Sequence, residues 1–82
     1  MESNHKIRVD FQNADRKGRI RLNTKGSRED IENQTISLKT GVEVFLYDEE
    51  LSVNGIITYS TEENLWVATI DRNKLIKSNQ SD

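Results

Sequence analysis

Between Val42 and Ile76, short segments of apolar alternation follow one another with only brief polar breaks, and this pattern constrains the fold more than any other feature of the chain. Val42, Val44 and Leu46 alternate with Glu43, Phe45 and Tyr47; Val53, Ile57 and Tyr59 follow; Trp66, Ala68 and Ile70 come after a polar loop. A period of two means that successive side chains leave opposite faces of an extended backbone, so each segment reads as a half-buried strand. The same signal opens the chain, where Ile7, Val9 and Phe11 share one face of a strand over His5–Gln12 and Lys6, Arg8 and Asp10 share the other.

The polar breaks supply the turns. Asn13–Gly18 reads as a hairpin loop, with Asp15 able to cap a turn and Gly18 free to take positive φ, and Arg19–Leu22 as the return strand. Ser27 is a suitable helix N-cap with Glu29 and Asp30 in the following turn, but Ile31 is the lone apolar residue of Ser27–Gln34, so one or two helical turns are expected. Thr35–Leu38 reads as a short strand or extended connection, and Asp48–Glu50 and Ser60–Asn64 as turns. Asn54-Gly55 is a strong hairpin signal inside what otherwise reads as one strand from Leu51 to Tyr59; a bulge at Gly55 and a type I′ turn both remain open. Asp71–Ile76 is expected to form a short helical turn, with Leu75 and Ile76 plugging the end of the fold.

Eighty-two residues make one domain, spanning residues 5–76, with polar, frayed ends at 1–4 and 77–82. Candidate core side chains are Ile7, Val9, Phe11, Ile20, Leu22, Ile36, Leu38, Val42, Val44, Leu46, Ile57, Trp66, Ala68 and Ile70. Proline is absent, so edge strands need protection by charge or by closure. The expected fold is mainly β: a small antiparallel barrel of about five strands with one short helical insertion and a short closing helical turn. The segments Gly41-Val-Glu-Val-Phe-Leu-Tyr47, Val53-Asn-Gly-Ile-Ile57 and Leu65-Trp-Val-Ala-Thr-Ile70 carry a resemblance, over about half the chain, to SH3-like barrels. The resemblance is to the fold alone. The acidic loop and aromatic groove of proline-peptide binders have no counterpart motif. The rival barrel, the OB-fold, usually places its helix between the third and fourth strands, later than the helix signal here.

Several chemistries lack their side chains. There is no cysteine, hence no thiolate or disulfide, and His5 is the single histidine, at a strand edge with no triad partner in view. The acidic runs Asp48–Glu50 and Glu62–Glu63 fall in loops, where solvated carboxylates do poor acid–base work at neutral pH, and they lack the spacing of a calcium loop. The chain is therefore expected to be neither an enzyme nor a metal or cofactor binder. The N-terminus has no apolar signal-peptide core and no apolar run reaches 18 residues, so the expectation is a cytoplasmic protein without a membrane span. The two sequons, at Asn33 and Asn79, are then fortuitous.

Two surfaces remain as binding candidates. If Val44 and Leu46 face inward, Phe45 and Tyr47 face outward on the same strand; they suit a protein interface or self-association, or else a second small core under the helical segment or a tail. Charge supplies the other. Residues 1–28 hold eight basic and three acidic side chains (net +5), residues 29–71 are net −9 and residues 72–82 net +2. Arg16, Lys17, Arg19, Arg21, Lys25 and Arg28 could hold a phosphate backbone, with nucleic acid as the partner, although no aromatic side chain interleaves them for base stacking. The alternative is that strands of both halves interleave and the charges mix in space. The leading expectation is a non-catalytic protein-interaction module.

Overall fold

The computed structural model describes residues 5–77. Of the expected frayed ends, 1–4 and 77–82, residues 1–4 and 78–82, with the sequon at Asn79, lie outside the described residues, whereas Lys77 is described and pairs with Leu51. The fold is mainly β, a small curled open sheet with one helix and one 3-10 turn. Its elements are β1 (Lys6–Arg8), β2 (Ile20–Arg21), α1 (Lys25–Asn33), β3 (Glu43–Tyr47), β4 (Leu51–Ser60), β5 (Leu65–Ile70), a 3-10 turn (Arg72–Lys74) and β6 (Ile76–Lys77). The strand order is β1-β3-β4-β5-β2, and β6 pairs with the first residues of β4. The β1–β3 pair is parallel and the others are antiparallel, so the sheet is mixed. No helix among the described residues is long and apolar enough to cross a membrane.

The alternation carries through to burial. Ile7, Val9, Phe11, Ile20, Leu22, Ile36, Val44, Leu46, Ile57 and Ala68 form the core, and Leu38, Val42, Trp66 and Ile70 pack at its rim. Val53 joins the core. Val67 is also buried, but outside that cluster, on the opposite face, in register with Arg21 of β2 and Thr58 of β4. A long basic side chain can cover apolar surface with its stem, and Arg21 is held in place there by Glu63 and Asn13.

The local chemistry differs from the expectation at five points. The first strand ends at Arg8, and a turn at Phe11–Gln12 follows, closed by Asn13 N–H on the Asp10 carbonyl. The Asn13–Gly18 loop does close a hairpin, but with residues 13–15 as its partner: Ala14 bridges Ile20, while β1 lies at the far edge of the sheet. Asp15 staples this loop as foreseen, accepting from the Lys17 and Arg19 amides, with Gly18 at φ +81°.

The helix begins earlier than expected. Thr24 is its N-cap and accepts from the Ser27 N–H, whereas Ser27 is buried and donates its hydroxyl to the Arg8 carbonyl. Glu29 and Asp30 consequently fall beyond the first turn. Asn54-Gly55 forms neither turn nor bulge, because β4 runs unbroken and its registers with β3 and β5 advance residue by residue. Gly55 is there for room: a Cβ would stand 2.8 Å from Leu46 Cδ1 and 3.1 Å from the Thr69 carbonyl oxygen. Leu75 is half-buried as part of the closing turn, but Ile76 is 62% exposed on β6 and plugs nothing.

Candidate functional site

Register fixes the two faces of the sheet. With Ile7, Val44, Leu46, Val53 and Ile57 inward, the outer face carries Lys6 and Arg8 on β1, Phe45 and Tyr47 on β3, Ser52, Asn54 and Ile56 on β4, and Ile76 on β6. Tyr47 pairs with Ser52, Ser52 with Ile76, and Phe45 with Asn54, so Phe45 stands among Ser52, Asn54 and Ile56.

The two aromatic candidates have different fates. Tyr47 is half-buried and engaged: its hydroxyl donates to Asp30 Oδ2 on α1 at 2.9 Å, and the Arg8 guanidinium carbon lies 5.9 Å from the ring centroid. Burial, reinforced by the Asp30 carboxylate, pushes the Tyr47 hydroxyl above the usual phenol range. Phe45 is half-buried and lines two open grooves of about 810 and 590 Å³, which share Phe45, Ser52 and Ile76. The larger groove also takes in Ile56, Ile70 and Leu75, and the smaller one Lys6, Tyr47 and Lys77. Ile56 (41%) and Ile76 (62%) are the most exposed large aliphatic side chains described, and both border the larger groove. Sequence reasoning missed Ser52, Ile56 and Ile76. The parity of Ile56 beside Glu43 was available, but the position of β6 was not.

The basic candidates are divided between ion-paired and exposed positions. Arg19 is half-buried and paired with Asp15 at 2.8 Å. Burial alone would raise the Asp15 carboxyl; the bonds from Arg19 and Lys17 outweigh it and hold the carboxyl below the usual carboxylate range. Arg21 makes a two-point pair with Glu63 at 2.7 and 2.8 Å, which lowers Glu63 and raises Arg21 from their ordinary values. Arg16 lies 3.9 Å from Glu62. Lys17 is exposed at the loop, and Lys25 and Arg28 are exposed on α1. Arg8 pairs with Glu49 at 3.6 Å. Three of these four ion pairs join the basic first third of the chain to its acidic middle, so the charges mix in space.

The acidic residues of the loops serve the turns. Asp48 Oδ1 accepts from the Glu50 and Leu51 amides, and Asp71 Oδ1 accepts from Asn73. Among the described residues no group of three or more His, Cys, Asp and Glu side chains is gathered around a point that would suit a metal ion. No protein-family model matches the chain, and neither a curated protein nor a solved structure matches it.

Proposed function

We propose that this protein is a non-catalytic interaction module, an SH3-like half-barrel that binds a protein partner through the outer sheet face centred on Phe45. The observation that carries the reading is the placement of Ile56 and Ile76, both exposed, along one groove with half-buried Phe45. Single exposed apolar residues are ordinary on a protein surface; several lining one groove in so small a domain are the pattern of an interface. The SH3-like reading draws support from the long β4, which pairs with β3 and β6 through its first half and β5 through its second, and from the 3-10 turn that leads into the closing strand. A reducing, cytoplasmic setting suits a chain without cysteine.

Capture from nuclease-treated cell extract tests the reading, with the wild-type chain compared with the Ile56→Ser/Ile76→Ser double variant. A protein retained by the wild type after nuclease treatment and lost from the variant is the expected result. Retention that ignores the substitutions, or that disappears with nuclease, contradicts it; the latter would point to the basic residues and a nucleic acid.

A further inference from the structure

We propose that α1 is a detachable clasp, and that the edge of β1 beneath it accepts an extended segment of a partner by strand addition. The edge would do so whether or not the outer face also binds.

What α1 occupies is the first observation. The N–H and carbonyl groups of Lys6 and Arg8 point away from β3, at the two-residue spacing that a neighbouring strand pairs with. Side chains meet all four. Gln34 bonds both groups of Lys6, Asp30 accepts from the Arg8 N–H, and Ser27 donates to the Arg8 carbonyl. Each of these bonds stands where the backbone of an added strand could supply its own. The face of the strand sets what the added segment must carry. Ile7, between Lys6 and Arg8, points inward and is fully buried, and Ile31 of α1 packs against the same core. A segment that displaces α1 therefore needs an apolar side chain facing inward and polar ones on the outer face, which is the alternation of a half-buried strand.

How lightly α1 is held is the second. Ser27 is its only buried residue, and Ile31, half-buried, is its lone large apolar side chain. Three of its four bonds to β1 are exposed to solvent. A nine-residue helix does not hold its shape without docking, and Gly26 weakens it further. At its exit Thr35 takes φ +52°, a left-handed conformation that a β-branched residue resists. Leu22 and Ile36, both in the core, anchor the chain on either side, so residues 23–35 can come away while the sheet stays intact. A segment with so few buried apolar contacts opens well below the free energy of global unfolding.

A disulfide can lock the clasp. A Cβ built at Gly26 lies 3.5 Å from the Arg8 Cβ, within the span of a disulfide, and the chain has no cysteine to interfere. Arg8→Cys/Gly26→Cys is therefore closed when oxidised and free when reduced. In native-state hydrogen exchange of the full chain, the Lys6, Arg8 and Gln34 amides should share one opening. Their protection should be about a hundredfold or more below that of Ile57, whose N–H bonds to the Val42 carbonyl. The probe for strand addition is a short fluorescein-labelled peptide alternating Thr and Val, titrated by anisotropy. The wild type and the reduced variant should bind it, the oxidised variant about tenfold or more weakly, because the lock withholds several backbone bonds. N-methylation of alternate peptide amides should remove binding, and Ile56→Ser/Ile76→Ser should leave it unchanged. Exchange of the three amides through global unfolding only, or at unrelated rates, overturns the clasp. Equal binding by the oxidised and reduced forms, indifference to N-methylation, or no binding overturns strand addition. Loss of binding in the Ile56→Ser/Ile76→Ser variant also overturns it, since the peptide would then lie on the outer face.

Discussion

Two residues show how closely this small fold is fitted. Gly55 lies in a row with Val44 and Ile70, and the Leu46 side chain occupies the space where a Cβ would sit. Leu46 is fully buried and the Thr69 carbonyl belongs to the neighbouring strand, so neither can move away cheaply. Gly55→Ala should therefore destabilise by about 1–3 kcal/mol as an overpacking change. For a domain of this size that is a fall in melting temperature of roughly 4–8 °C for each kcal/mol, read by thermal circular dichroism. Asp15 makes the second case. Its folded carboxyl titrates below the ordinary aspartate value, so the unfolded chain takes up the proton first as pH falls. Its contribution is complete above about pH 4 and is lost as the pH drops through the depressed value. Urea midpoints measured across pH should fall on that acid limb in the wild type. Asp15→Asn, which leaves Arg19 without its carboxylate, should be less stable at neutral pH and flatter on the acid limb; identical profiles would contradict this account.

At the scale of the element, α1 acts as a substitute strand for the exposed edge of β1. In the parallel pair, His5 and Val9 bond to β3 through their backbones, and the backbone groups of Lys6 and Arg8 point the other way. Helix side chains meet them there. The Gln34 carboxamide accepts from the Lys6 N–H and donates to the Lys6 carbonyl, Asp30 accepts from the Arg8 N–H, and Ser27 donates to the Arg8 carbonyl. These residues occupy one face of the helix at spacings of three and four, and they close an edge that would otherwise invite pairing with other chains. Gln34→Ala should speed hydrogen exchange of the Lys6 amide and cost up to about 1 kcal/mol. In a double-mutant cycle, Asp30→Ala and Tyr47→Phe should couple, since the two share one hydrogen bond. None of this is legible beforehand. Alternation at Ile7, Val9 and Phe11 states which side chains are buried, and that reading transfers directly to the structure. It carries no information on which strand lies alongside, because parity is a property of one chain segment and pairing a property of two. Hence β1 and β2, close in sequence, sit at opposite edges of the sheet. Ser27 illustrates the same limit: the chemistry that makes it a plausible cap serves a tertiary bond once Thr24 takes the capping role.

The whole molecule is a half-barrel with both outer strands covered, β1 by α1 and β2 by the 13–15 hairpin. Its basic and acidic segments are paired by Arg8–Glu49, Arg16–Glu62 and Arg21–Glu63. Among the described residues, what stays uncovered is the outer face around Phe45, bordered by Ile56 and Ile76. The outward parity of Phe45 follows from the sequence alone, whereas Ile76 depends on a two-residue strand that composition does not announce. Photocrosslinking tests this reading most directly. p-Benzoylphenylalanine replaces Ile76 in one variant and Lys17, on the basic loop, in another; both are irradiated in nuclease-treated extract. The account predicts a discrete protein adduct from position 76 and none from position 17. Adducts from the loop alone, or an equal pattern from both positions, would contradict it.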